Sequence, residues 1–210
     1  KYFIKDGSRL GVLYNGVNFD KFIRSTELLD ESKTLFNKME LQKFSATFVT
    51  VAQLRVEKRH IDIIKAAAKL KSNGHNFGYL FVGAGEIEFE NQLKQIAIDY
   101  GVGDDFYFIG QVSDPRAYLI TANAFLLASE SETFSNAALE AMAFSLPCIM
   151  TNVGGASEMV ESGVNGYLFR PHDSEDLCRK IIQYSQADKA KLSNNAYKIA
   201  NDKFGYGRMV

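Results

Sequence analysis

Six short apolar runs, each of strand length and each separated from the next by a stretch with helical patterning or a turn, constrain this chain more than any other feature. They lie at about 47–51, 79–82, 106–109, 124–128, 147–151 and 167–169. Helical patterns fall between them at about 58–72, 86–100, 115–121, 135–144 and 156–161, and two more, at about 174–185 and 189–203, close the chain. Antiparallel strands can be joined by tight turns, whereas strands joined by single helices must run parallel and be covered on both faces. The pattern therefore predicts an α/β fold: a doubly wound parallel sheet with right-handed crossovers. In such a sheet ligands bind beyond the carboxyl ends of the strands, so the loops that follow each run are where function is expected. No internal repeat or low-complexity segment interrupts the pattern.

Composition agrees and excludes several classes. With 210 residues, 46% of them hydrophobic, the chain can bury the core of one domain or slightly more. Its 24 basic residues against 25 acidic ones give a net charge of −1, which offers no nucleic-acid surface. Cys148 and Cys178 fall in an apolar strand and an amphipathic helix, without the spacing of a metal site or a disulfide framework, as suits a reducing cytosol. His60, His75 and His172 each lack a second metal-type ligand at helical or hairpin spacing. No apolar run approaches membrane-spanning length and no signal peptide opens the sequence. Membrane contact is expected to be peripheral, or to belong to residues outside this chain.

The loop with the most chemistry follows the fourth run. In Ser129-Glu130-Ser131-Glu132-Thr133-Phe134-Ser135-Asn136 a carboxylate, Glu132, stands just before a helix that Ser135 or Asn136 can cap. Glu140 then falls in the second turn of that helix. The free N–H groups and positive dipole end of a helix start favour an anion such as a phosphate. Two carboxylates at different heights can accept hydrogen bonds from vicinal hydroxyls of a ribose or hexose. Taken alone, the same residues would equally serve as a complement to the helix N-terminus and a solvated helix position.

Three further motifs follow in order: Leu146-Pro147-Cys148-Ile149, then Gly154-Gly155 with Glu158 and Val160, then Gly163-Val164-Asn165-Gly166-Tyr167-Leu168-Phe169. With E-x7-E-A-M-A at 132–143, this succession resembles the C-terminal signature of retaining family 4 glycosyltransferases (glycosyl transferases group 1) of the GT-B fold. The resemblance implies a Rossmann-like domain, the C-terminal half of a GT-B enzyme, that binds a nucleotide-sugar donor. It further implies that Glu132 orients the donor sugar, that Glu140 holds the ribose hydroxyls, and that Phe134, Ser135 and Asn136 lie at the donor. In the family a glycine usually follows E-x-F, and this chain has Ser135.

The resemblance extends to other strand-end loops. Ala52-Gln53-Leu54-Arg55-Val56-Glu57-Lys58 is similar to the family's G-R-L-x-x-x-K loop, whose cations neutralise the donor diphosphate. Lys58 matches the lysine, but Gln53 stands at the arginine position, so charge stabilisation should fall more heavily on Lys58, or on Arg55 or Arg59. Gly83 and Gly85 lack the third glycine of a dinucleotide fingerprint and are read as a close backbone approach near the nucleotide. Gly110-Gln111-Val112 is similar to the family's G-x-V turn, which implies that the Val112 backbone reads the base edge. Ser145 stands where the family has glycine after A-M-A-x.

Residues 1–45 are expected to form a lead-in segment and linker, with 46–210 as the nucleotide-sugar-binding domain. Asn15-Gly16-Val17 is similar to the family's turn into this domain, so Gly16 joins the candidate donor contacts, although Asn-Gly is also an ordinary turn pair. The family's N-terminal acceptor domain is expected to lie outside this chain, and the isolated chain is expected to transfer no sugar. The resemblance implies no cofactor and no required metal, a UDP-sugar donor, and a glycan or lipid-linked acceptor in bacterial O-antigen or capsule synthesis, acting in the cytoplasm or at the inner membrane face. Two other readings stay open: a non-catalytic binding or scaffolding domain, and another enzyme of the same architecture, such as an epimerase or a phosphorylase-like enzyme.

Overall fold

The computed structural model describes residues 2–6, 9–13 and 18–205, with side chains described from residue 18 onward apart from Lys21. The chain opens with an antiparallel hairpin, β1 (Tyr2–Asp6) and β2 (Arg9–Leu13). There follow α1 (Thr26–Lys38), β3 (Ala46–Val51), α2 (His60–Ser72), β4 (Phe77–Val82), α3 (Ile87–Asp99) and β5 (Phe106–Gly110). The second half comprises α4 (Arg116–Thr121), β6 (Ala124–Leu127), α5 (Asn136–Ala143), β7 (Cys148–Thr151), α6 (Ala156–Met159), β8 (Gly166–Phe169), α7 (Ser174–Gln186) and α8 (Lys189–Phe204).

Strands β3 to β8 form one parallel sheet in the order β5-β4-β3-β6-β7-β8, as the sequence pattern predicts. Alternation along each strand feeds two separate cores. Val49, Leu80, Val82, Phe125, Leu127 and Met150 point to one face, under α1, α4, α5 and most of α8. Phe48, Tyr79, Phe81, Phe106, Leu126 and Ile149 point to the other, under α2, α3 and α7. Because both faces are buried, the strands read as continuous apolar runs and not as alternating ones.

The structure adds an element and shifts a boundary. Helix α1, absent from the helical patterns set out above, is capped by Ser25, whose hydroxyl accepts the Leu28 N–H. It packs with Leu28, and the turn after it with Leu41 and Phe44, into the α4 side of the core, so residues before Ala46 contribute to the same packing. Helix α2 starts at His60 because Val56–Lys58 forms a 3-10 turn and Arg59 adopts φ +53°, which ends that turn and starts the helix afresh. Lys58 is therefore held in a tight turn ahead of the helix.

Two local features generate predictions. Helix α5 ends in a Schellman arrangement, with Leu146 N–H donating to Ala141 O and Ser145 N–H to Met142 O. This puts Ser145 at φ +65°, a left-handed conformation that costs an L-residue with a Cβ roughly 1–2 kcal/mol. The Ser145→Gly variant is expected to be more stable by about 1 kcal/mol after the added chain entropy of glycine, seen as a rise of a few degrees in Tm. His60 is 1% exposed, packs edge-on against Phe81, and finds no hydrogen-bond partner for either ring nitrogen among the described residues. Burial, helped by the charge of Lys58, lowers its pKa from 6.5 to about 4. A folded pKa below the unfolded one means that the unfolded chain binds the extra proton, so stability is lost as pH falls from 6.5 toward 4. Urea melts at pH 7 and pH 5 should show that loss in the wild type and a flatter dependence in His60→Leu.

Candidate functional site

The chain order reverses between β3 and β6, which makes the crevice beyond their carboxyl ends the natural ligand position. The loops leaving these two strands meet there. Lys58 Nζ, from the β3 loop, lies 2.5 Å from Glu132 Oε1, from the β6 loop. Both side chains are partly covered, at 24% and 16% exposure, so this pair is less screened than a surface salt bridge. The Ser129 hydroxyl also donates to Glu132 Oε1 at 3.0 Å. Oε2 has no donor among the described residues and stays available as an acceptor. Ser129 is fixed in turn by Thr151 at the end of β7, whose hydroxyl donates to its carbonyl at 2.5 Å. Glu130 N–H donates to Glu57 O at 2.9 Å, which ties the two loops by backbone as well.

The Glu132 loop is clamped by the Gly154-Gly155 turn. Gly154 has φ +52°, and a Cβ there would lie 1.5 Å from Glu132 O; a Cβ on Gly155 would lie 2.8 Å from both Thr133 O and the Phe134 ring. Gly155 N–H donates to Thr133 O at 3.0 Å. Past the loop, Ser135 caps α5 by accepting the Ala138 N–H, while Asn136 is exposed at the first turn. The Phe134 ring is buried, edge-on to Phe204, with centroids 5.3 Å apart. Its ring thus anchors the loop, and any effect of Phe134 on a ligand passes through the backbone.

Around β4 the glycines answer to protein backbone. A Cβ on Gly83 would lie 2.0 Å from Ala52 O, and one on Gly85 would lie 2.2 Å from Leu54 O. The β3 loop is hydrogen-bonded there, Ala52 N–H to Val82 O and Leu54 N–H to Ala84 O, while Gly83 N–H donates to Gly110 O. The close approach expected at Gly83 and Gly85 is therefore that of the 52–54 loop, which these glycines let lie flat on the sheet end. Gln53 and Arg55 are exposed on a cleft of about 520 Å³ between residues 53–57 and 84–89. Arg55 is only loosely paired with Glu57, at 3.8 Å. Arg59 is committed elsewhere: its Nε and Nη2 donate to both oxygens of the buried Asp62 at 3.0 and 3.1 Å.

Glu140 is half-buried in α5, and its carboxylate makes no hydrogen bond or ion pair to another described residue. Its pKa is raised, first by desolvation and then by the charge of Asp114. Asp114 is itself held ionised by Arg116, which donates from Nε to both carboxylate oxygens at 2.9 Å. Val112 sits in the same post-β5 loop, partly buried against the core. The structure thus brings Lys58 to Glu132 and Glu140 to the 110–114 loop, and places Gln53 and Gly85 on the adjacent cleft. Gly16 lies outside the described residues. The sequence reading missed Ser129, Thr151 and Asp114 as supports. A serine and a threonine at the ends of apolar strands were the available signal.

No helix among the described residues is long and apolar enough to cross a membrane, and these residues contain no cluster of three His, Cys, Asp or Glu side chains able to hold a metal.

Comparison with known proteins gives the context. The family described as "Glycosyl transferases group 1" matches residues 31–201. Among curated relatives, the capsular polysaccharide biosynthesis glycosyltransferase CapM of Staphylococcus aureus is 26% identical over 201 residues, covering 90% of this chain and 49% of CapM. An Escherichia coli UDP-Gal:alpha-D-GlcNAc-diphosphoundecaprenol alpha-1,3-galactosyltransferase is 26% identical over 179 residues, covering 85% of this chain and 46% of that enzyme. The chain spans about half the length of the curated relatives it matches. Anabaena HepE, solved with UDP and glucose, superposes with a TM-score of 0.84 at 25% identity, over 95% of this chain and 54% of HepE. The C-terminal domain of a group 1 glycosyl transferase (LpcC) from Francisella tularensis is covered over 100% of its length and 91% of this chain, with a TM-score of 0.74 at 23% identity. The six-stranded parallel sheet, the strand-end loops that meet at its crossover and the match over 31–201 lead to one assignment: this chain belongs to the group 1 glycosyl transferases, family 4, and has the C-terminal GT-B domain fold.

Proposed function

We propose that this chain is the donor-binding half of a retaining glycosyltransferase that uses a UDP-sugar and, in the whole protein, a glycan or lipid-linked acceptor. The observation that carries the proposal is the Lys58–Glu132 pair, a cation and a sugar-hydroxyl acceptor joined at the sheet's crossover. Lys58, with the start of α5 at Ser135 and Asn136, takes the diphosphate. Glu132 orients the donor sugar through its open oxygen, Glu140 accepts from the ribose hydroxyls, and the backbone near Val112 meets the base. In the transfer step the glycosidic C–O bond breaks and its electron pair leaves with the nucleoside diphosphate. The acceptor hydroxyl oxygen bonds to the anomeric carbon on the same face, and its proton passes to the β-phosphate. Lys58 stabilises the charge that develops on the leaving group. HepE, solved with UDP and glucose, and the polysaccharide-synthesis relatives favour a UDP-sugar and a cell-surface glycan as product.

Lys58 works with less help than the family pattern provides, since Gln53 carries no charge and Arg59 is bound to Asp62. That one observation favours the alternative, a non-catalytic nucleotide-sugar-binding domain. Joined to an acceptor domain, the chain should turn over donor if the catalytic reading holds and bind without turnover if the alternative does.

Calorimetric titration with UDP and UDP-glucose separates the roles. Lys58→Ala should weaken both ligands by about 10- to 100-fold, the worth of a charge-assisted hydrogen bond. Glu132→Gln should bind UDP at least as well as the wild type, because a competing anion is gone, while losing the preference for UDP-glucose. Unchanged affinities in both variants would remove these residues from the site. The raised Glu140 pKa gives a sign for pH: binding should fall on the acid side earlier than for an ordinary carboxylate, and Glu140→Gln should abolish that dependence. An acid limb that survives in Glu140→Gln would contradict the ribose role.

A further inference from the structure

The last turn of α8 lies directly under the loop that carries Glu132. Phe204, the final residue of that helix, is 3% exposed, and its ring meets the Phe134 ring at 5.3 Å and 67°. Phe134 is two residues beyond Glu132. On the opposite side the loop is held by backbone alone, through the Gly155 N–H bond to Thr133 O and the bare Gly154 surface against Glu132 O. Beside the hydrogen bonds of Ser129, Lys58 and Glu57, the loop therefore packs between a turn without side chains and an aromatic ring from a distant helix. The segment before α1 packs in the same region. Phe19 packs edge-on against Tyr197 of α8 at 5.5 Å, and a Cβ on Gly205 would lie 3.8 Å from the Phe19 ring. Phe22 packs on Phe144 at 5.2 Å, and Arg24 donates to the Phe144 carbonyl at 2.7 Å. Residues 19–24 and 204–205 therefore sit together beside α5, the helix whose cap closes the Glu132 loop.

We propose that Phe204 is a positioning residue for the donor sugar: by supporting Phe134 it sets the height of the Glu132 loop, so that the end of α8 controls recognition of the sugar without touching the nucleotide. The binding part of this inference rests on the donor-site reading above. The loop-positioning part does not, because it concerns contacts within the chain. Removing the Phe204 ring leaves a void beneath Phe134 that the Gly154-Gly155 turn cannot fill from the other side. Any shift of α8 would then reach Glu132 through two rings packed edge to face.

The test compares Phe204→Ala and Phe204→Leu with Leu192→Ala, a truncation on the same helix but in the opposite core. Without ligand, amide hydrogen exchange at Gly155 reports whether the loop is docked. Phe204→Ala should accelerate it by about 10-fold beyond the change at a central-strand amide such as Leu80, with Phe204→Leu in between, while Leu192→Ala moves both amides together. With ligand, Phe204→Ala should lower the preference for UDP-glucose over UDP by about 3- to 10-fold and leave UDP affinity within about 2-fold. If the alanine variant does not fold, Phe204→Leu against Leu192→Ala decides in the same way. Gly155 exchange that merely follows global stability, or equal losses for UDP and UDP-glucose, overturns the proposal. If the wild-type chain binds no nucleotide, the donor-site reading fails, and the exchange comparison still decides whether Phe204 positions the loop.

Discussion

Backbone-on-backbone contact at the strand ends is the constraint on which the site depends. At three glycines beyond the carboxyl ends of the strands an added Cβ would fall impossibly close to a carbonyl oxygen of a neighbouring segment: Gly83 at 2.0 Å from Ala52, Gly85 at 2.2 Å from Leu54 and Gly154 at 1.5 Å from Glu132. A side chain at any of them would lever a loop or strand off its neighbour. With none present, the segments leaving β3, β4, β6 and β7 pack on one another and behave as one unit. Lys58 and Glu132 emerge from that unit and owe their approach, across 74 residues of sequence, to its fixed geometry.

The electrostatics follow from the same packing. In the free chain Glu132 and Lys58 satisfy each other, and Ser129, locked by Thr151, holds the carboxylate in place. This keeps a partly covered cation and anion from being stranded, which would cost more than the pair gains. A diphosphate offers Lys58 a doubly charged partner, and a sugar offers Glu132 hydroxyl donors, so a nucleotide-sugar replaces one internal pair by two external ones. A bare nucleotide replaces only half of it. In the second turn of α5, the Glu140 carboxylate has no partner among the described residues and feels Asp114, so it gains most from a ligand that donates hydrogen bonds.

Much of this was legible in the sequence, for physical reasons that also explain what was not. The parallel sheet announced itself because strands buried on both faces must be apolar throughout, and the ends of the sheet strands fall within one residue of the runs except at β4, which begins two residues earlier at Phe77. Helix α1 went unassigned although Leu28, Ser32, Leu35 and Phe36 share its packed face, because residues before Ala46 were read as a lead-in and linker. Glu132 and Ser135 could be singled out by residue type and spacing, and Lys58 through the family resemblance. What the glycines pack against could not be, since a glycine shows that something comes close without showing what. Phe134 was expected at the donor; its ring packs into the core against Phe204, which leaves its backbone to face the loop.

The most direct test of the central claim is a structure of this chain with a UDP-sugar bound. The account predicts that the Lys58–Glu132 pair opens, with Lys58 Nζ within hydrogen-bonding distance of the diphosphate, Glu132 accepting from a sugar hydroxyl and Glu140 accepting from the ribose. A ligand bound elsewhere, or bound at the crossover with the Lys58–Glu132 pair intact and neither residue in contact with it, would contradict the account.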